Sequence, residues 1–156
     1  MSTIDSFAVF KIAYADRDGN QRVFYVFPDQ VVMEFGSNRW DFKIRTLPTI
    51  DPSNIARFFQ FELVQRTDGW WRIDMIGQVA QYTEFERCGL PEEVILAAAR
   101  RFGILICSST AEERQVIKAR KVWQRLLKRF AESHGDFKVE QREGRFWLMP
   151  LEGVTQ

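Results

Sequence analysis

Four consecutive apolar residues, Ile104-Leu105-Ile106-Cys107, stand between two helical stretches and constrain the fold more than any other feature of the chain. A strand with one wet face alternates apolar and polar residues. An unbroken apolar run fits a strand covered on both faces, as in a parallel pairing. The residues before it supply the crossover that such a pairing needs. Leu90-Pro91-Glu92-Glu93 opens a helix, with proline in the first turn and two acids against the positive end of the helix dipole. Ala97, Ala98 and Ala99 sustain it, Arg100 and Arg101 fall in its last turn, and Gly103 stops it. Strand 104–107 is therefore expected to be central and parallel to the strand from Trp70 to Tyr82, with helix 91–102 crossing between them.

Downstream, Ser108-Ser109-Thr110 reads as a cap, with Glu112 and Glu113 near the start of a second helix. Val116, Ala119, Trp123, Leu126 and Phe130 give that helix an apolar stripe. Asp136–Glu140 and Arg145–Met149 form a closing hairpin around Glu143-Gly144. Upstream, Phe59, Phe61 and Leu63 alternate with polar residues, turn at Thr67-Asp68-Gly69, and return through Trp71, Ile73 and Met75. Gly77 marks a bulge or close approach on the return strand.

The first half is β-rich. Phe7–Tyr14 and Val23–Phe27 flank the turn residues Asp16–Asn20 as a hairpin, and Pro28-Asp29 is expected to break the second run. Val31–Phe35 and Asp41–Arg45 read as two further short strands around Gly36-Ser37-Asn38. Asp51-Pro52 has the form of a helix start, with Asp as cap. The fold class that follows is α+β: a mixed, mostly antiparallel sheet with a central parallel pair and two packed helices, in one domain spanning 1–156.

So many elements need a real core, and 156 residues with 46% hydrophobic side chains can build one. The net charge of +1 gives no global excess that points to DNA, RNA or membrane. No window approaches the roughly 20 apolar residues that span a bilayer. MSTIDSFAVF lacks a basic region followed by an apolar one, so no signal peptide is expected, and a cytoplasmic location with reduced thiols follows. Cys88 and Cys107 are the two cysteines and His134 the one histidine, too few for a zinc site, so no metal is expected.

From Phe58 to Pro150 the order is strand, strand, helix, strand, long helix, strand, strand, which resembles the core of the GNAT superfamily of N-acetyltransferases. Residues 1–57 diverge, with strands where that family has two helices. The resemblance implies a GNAT-like fold whose central parallel strands splay apart to hold acetyl-CoA. It also implies a Q/R-x-x-G-x-G/A loop, whose backbone N–H groups bind the CoA pyrophosphate. Here that stretch is Glu86-Arg87-Cys88-Gly89-Leu90-Pro91. Gly89 matches, Glu86 stands in the Gln/Arg place, and Pro91 stands in the final small place and removes one donor. The implied cofactor-binding residues are Arg87, Cys88, Gly89 and Leu90, at a helix start that favours phosphate. Trp123 stands where the family's proton-donating Tyr falls, and an indole N–H is not a usable acid.

Glu84 and Tyr82 are then the candidate base and acid for acylating an amine, against the plainer reading of a solvated pair at a strand end. Arg114, Lys118, Lys121, Arg125 and Lys128 recur at helical spacing as a basic stripe, and residues 111–134 carry seven Lys/Arg against three Glu. That stripe suits CoA phosphates or an acidic protein partner, or is simply a solvated face. Nucleic acid is not expected, because no exposed aromatics interleave with the charge. Cys88 with His134 would make a nucleophile and base only if the fold joined them. Three readings stay open, one of them a small α+β interaction protein unrelated to that family. The resemblance implies transfer of acetyl from acetyl-CoA to an amine on a small molecule or protein. The alternative is a catalytically inactive GNAT-like binding or inhibitory module, acting through a protein or anionic partner.

Overall fold

The computed structural model describes residues 8–32, 38–78, 82–110, 117–132 and 135–151. In chain order the elements are β1 (Phe10–Ala15), β2 (Gln21–Val32), β3 (Asn38–Arg45), β4 (Phe59–Gln65), β5 (Trp71–Gly77), α1 (Leu90–Phe102), β6 (Ile106–Cys107), α2 (Ile117–Glu132), β7 (Phe137–Arg142) and β8 (Arg145–Pro150). A short 3-10 turn, Thr83–Phe85, precedes α1. Among the described residues the strands form one eight-stranded sheet in the order β1-β2-β3-β4-β5-β6-β8-β7. Every pairing is antiparallel except β5 with β6.

Only the second half of the apolar run does what its composition demands, since the strand begins at Ile106 and Leu105 before it is 37% exposed. Ile106 and Cys107 are fully buried, lying between β5, to which they run parallel, and β8. α1 is the crossover, and Gly103 closes it in a left-handed conformation. The fold class is α+β, as expected.

Strand parity places the core on one face of the sheet. Trp40, Phe42, Ile44, Phe59, Phe61, Leu63, Trp71 and Ile73 are all buried there, and α1 covers them. The ring of Phe102 meets Trp40 at 4.8 Å, Phe42 at 5.7 Å and Phe10 at 5.9 Å. α2 lies on the same face, with Trp123 stacked on Phe146 at 5.9 Å. Withdrawing each such large side chain from water stabilises the fold by roughly 1.5–3 kcal/mol. The opposite face carries Arg39, Asp41, Lys43, Glu62 and Asp74, none of them buried.

Several local expectations change. Pro28-Asp29 does not end β2, which runs on to Val32, with Val31 and Val32 opposite Arg39 and Asn38 rather than in a strand of their own. The β1 ladder stops at Phe10 opposite Val26. Beyond it β2 has a described neighbour on one side only, where proline is tolerated. Asn38 belongs to β3, and residues 33–37 lie outside the described residues.

Asp51-Pro52 starts a turn, not a helix. The Arg45 side chain binds the carbonyls of Asn54 and Ile55 at 3.2 and 2.9 Å; Asn54 O also accepts Arg57 N at 3.0 Å, whereas a continuing helix would need the Ile55 carbonyl too. The Asn54 side chain accepts from Asp51 N and donates to Thr49 O, both at 2.8 Å, closing the loop on itself.

β5 ends at Gly77, short of Tyr82, and its bulge falls at Asp74, because Glu62 faces Met75 while Leu63 faces Ile73. The Ser108 hydroxyl is engaged away from any helix: it accepts Phe146 N and donates to Ser109 O, each at 2.9 Å. The segment that would begin the second helix, 111–116, lies outside the described residues.

Candidate functional site

β5 and β6 pair at only two positions, Trp71 with Ile106 and Arg72 with Cys107. β6 then ends, while β5 bulges at Asp74 and continues to Gly77. The two strands thus part, and a cleft of about 760 Å³ occupies the gap. Ile73 to Gln78 and Phe59 form its sheet wall, Glu86, Arg87 and Pro91 its rim at the start of α1, and Ser109, Lys118 and Val122 the opposite side.

The rim is shaped by backbone conformation. Arg87 and Gly89 are both left-handed, at φ 53° and 72°. Glycine adopts this without cost, whereas arginine is held there by its surroundings. The turn drives the Cys88 side chain into the core and leaves its carbonyl to accept the Tyr14 hydroxyl at 2.8 Å. Burial pushes the Tyr14 hydroxyl pKa well above the usual phenol range. Gly89 O takes the N–H of Glu93, so the N–H groups of Leu90 and Glu92 have no helical acceptor, and Pro91 has no N–H to offer.

Electrostatically the cleft is mixed. Among the described residues Arg87 and Lys118 make no ion pair, while Asp74 is tied to Arg39 and Arg72. Arg87 and Pro91 also border a second hollow of about 510 Å³, walled by Tyr14–Arg17 and by Arg125 and Arg129 of α2.

Of the residues expected from the sequence, Arg87 and Lys118 meet at this cleft. Gly89 lies beside it, and Cys88 and Leu90 are buried, so they can contribute only backbone there. Glu84 and Tyr82 are turned to the 46–57 loop and are not among the cleft walls. Arg57 grips Glu84 in a two-pronged pair at 2.8 and 3.0 Å and lies over the Tyr82 ring at 4.6 Å, while the Tyr82 hydroxyl donates to Ala56 O at 3.3 Å.

The basic stripe is partly consumed. Arg125 pairs with Glu92 and Arg129 with Glu93, joining α2 to α1, whereas Lys118, Lys121 and Lys128 stay exposed. Arg114 and His134 lie outside the described residues. Trp123 belongs to the core, 1% exposed.

Asp74 and Ser109 line the cleft and were missed from the sequence. Asp74 lies on the outer face with Arg39 and Glu62, as strict alternation assigns it, and at the bulge it borders the cleft. Behind Asp74, Arg39 reaches Glu62 at 2.9 Å and Asp41 at 3.4 Å. Burial raises the pKa of both Glu62 and Asp41, and Arg39 offsets part of the rise.

Among the described residues no group of three or more metal-binding side chains lies together, and no helix is long and apolar enough to cross a membrane. No protein-family model matches the sequence, no curated protein matches it, and no solved structure matches the fold.

Proposed function

We propose that the chain is a GNAT-like protein that binds an acyl-CoA in the cleft between β5 and β6 and transfers the acyl group to an amine. The observation that carries this reading is the parting of the parallel strands. β5 continues for five residues beyond its last pair with β6, so its inner edge offers peptide N–H and C=O groups to an extended ligand that itself contains amides. The free donors of Leu90 and Glu92, with Arg87 and Lys118 beside them, suit the phosphates of such a ligand. The hollow beyond Arg87 has room for a nucleotide end.

Bound there, acetyl-CoA supplies an activated carbonyl whose C–S bond breaks as the amine nitrogen forms the amide. The chain must hold that carbonyl in place and receive the proton the amine gives up. Asp74 is the carboxylate bordering the cleft, and it would take that proton only on release from Arg39 or Arg72. Proton transfer through Glu84 and Tyr82 would first require Arg57 to release Glu84.

The second reading, a binding module without catalysis, is favoured by one observation: both residues expected to move protons are engaged with Arg57 or the 46–57 loop. Thermal unfolding with and without acetyl-CoA tests the binding on which the first reading depends. A ligand at a hundred times its Kd stabilises by about 2.7 kcal/mol, which raises Tm by roughly 5–10 °C in a domain of this size. The R87E and K118E variants should lose that shift. No shift in the wild-type chain would sink the acyl-CoA reading. A shift without CoA thiol release in the presence of amines would favour the binding module.

A further inference from the structure

The open face of the sheet divides into two regions of different charge. Across β3, β4 and β5, Arg39 and Arg72 are matched by Asp41, Glu62 and Asp74. Toward β1 the balance fails. Register sets Lys11, Tyr25 and Arg45 in one row across β1, β2 and β3, and Phe27, Lys43 and Gln60 in the next. Phe58, just before β4, joins this face, because Lys43 and Arg45 lie over its ring at 5.1 and 5.2 Å. The row after that, Asp29, Asp41 and Glu62, is acidic and marks the boundary.

Within this boundary the surface is short of negative charge. Arg45 is 3% exposed, yet the groups it meets are neutral: the carbonyls of Asn54 and Ile55 and the rings of Phe27 and Phe58. Lys11 and Lys43 are exposed, and among the described residues neither they nor Arg45 forms an ion pair. Residues 1–7, which precede β1, carry one acid, Asp5, against these three cations.

We infer that this region binds single-stranded nucleic acid, with Lys11 and Lys43 on phosphates and Tyr25 and Phe27 stacking on bases. Charge alone would suit an acidic protein equally well. The rings decide the occupant. Tyr25 and Phe27 are both half-buried, stand roughly 7 Å apart along β2, and are fixed on a strand rather than a loop. Tyr25 has no ring contact and no side-chain hydrogen bond among the described residues, so its ring is free to stack. Read along α2, basic charge comes without aromatics, which is why the sequence points away from nucleic acid. Here the interleaving arises from pairing across three strands. The assignment does not depend on what the cleft binds.

Fluorescence anisotropy of short labelled oligothymidine and oligouridine with the full chain at low salt tests it. Both should bind, within a few-fold of each other, because neither kind of contact reads the sugar. A duplex of the same length should bind more weakly, its bases being already stacked. Y25A should weaken binding about tenfold or more, while Y25F, which keeps the ring, should not. K11E combined with K43E should weaken it and flatten its salt dependence. K121E combined with K128E, on α2, should change neither. These side chains lie outside the core, so circular dichroism should stay the same. Should Y25A fail to fold, Y25L removes the ring while keeping an apolar side chain. No binding at low salt, binding that loss of the Tyr25 ring leaves unchanged, or equal affinity for polyglutamate overturns the inference. So does binding that only the α2 variant abolishes.

Discussion

Arg39 on β3 bridges Glu62 on β4 and Asp74 at the bulge of β5, so one guanidinium holds the cleft-wall carboxylate in line with the open face of the sheet. The same group lies 3.4 Å from Asp41. Three carboxylates thus depend on one cation for most of their compensation, although Arg72 also reaches Asp74.

Replacing Arg39 by methionine should therefore cost roughly 1–3 kcal/mol, the penalty for leaving partly buried acids without their partner. The pH dependence has a definite sign. Burial raises the folded pKa of Glu62 and Asp41, so the folded chain holds more protons than the unfolded one. Their contribution is most favourable below the ordinary carboxylate pKa and declines as pH rises through the folded value. Without Arg39 both pKa values rise further and the decline steepens. Urea unfolding across the range from about pH 4 to 7 should show the variant losing most stability at the upper end.

Asp136 should behave in the opposite way. Arg100 binds it through two hydrogen bonds of 2.8 Å and holds its carboxyl below the usual range. Its contribution is present above the unfolded pKa and is lost as pH falls through the folded one. Both side chains are more than 40% exposed, so solvent screening keeps the pair to below about 1 kcal/mol. D136N should remove that amount at neutral pH and flatten the acid limb of the stability curve, with little effect at low pH.

Trp123 offers a test of structural against chemical roles. It is buried and stacked on Phe146, so W123A should cost about 3–5 kcal/mol by urea denaturation. W123Y should also destabilise, and should confer no acyl transfer, because position 123 lies in the core and not on a cleft wall. Acyl transfer gained by that variant would contradict this placement.

The β7–β8 turn can be improved. Glu143 and Gly144 both have positive φ, 54° and 73°, the pattern of a two-residue hairpin turn that favours Asn-Gly. E143N should therefore raise Tm by one to a few degrees, from about 0.5–1 kcal/mol of relieved backbone strain. G144V should lower it. Differential scanning calorimetry reads both.

What the sequence discloses depends on how local each cause is. The hairpins, α1 and the parallel strand follow from patterns within a dozen residues, although β2 runs on to Val32, β5 ends at Gly77 and β6 begins only at Ile106. The turn at Asp51 carries a valid helix-start signal, yet Arg45 binds the carbonyls a helix would need. That competition is invisible until the chain is folded. Pro28 is compatible with strand because the β1 ladder has already ended, a fact about register rather than composition. In the candidate site, Arg87, which borders the cleft, was reached only through the resemblance to the GNAT loop. Asp74 was not, since a polar residue at an outer-face position of a strand gives no sign that a cleft opens beside it. The separation of Glu84 from the cleft depends on Arg57, far upstream in the chain.

The two-residue join between β5 and β6 has a kinetic consequence. β1 to β5 form a meander in which every neighbour in space is a neighbour in sequence, so its contacts close short loops and can assemble early. β6 reaches β5 only after α1 has folded across, and it is then locked by β8, which arrives from beyond α2. The molecule should thus zip from its N-terminal side and staple last at Trp71–Ile106. Native-state hydrogen exchange would reveal this as two cooperative units, with the amides of β6 and its partners opening at lower free energy than those of β3 and β4.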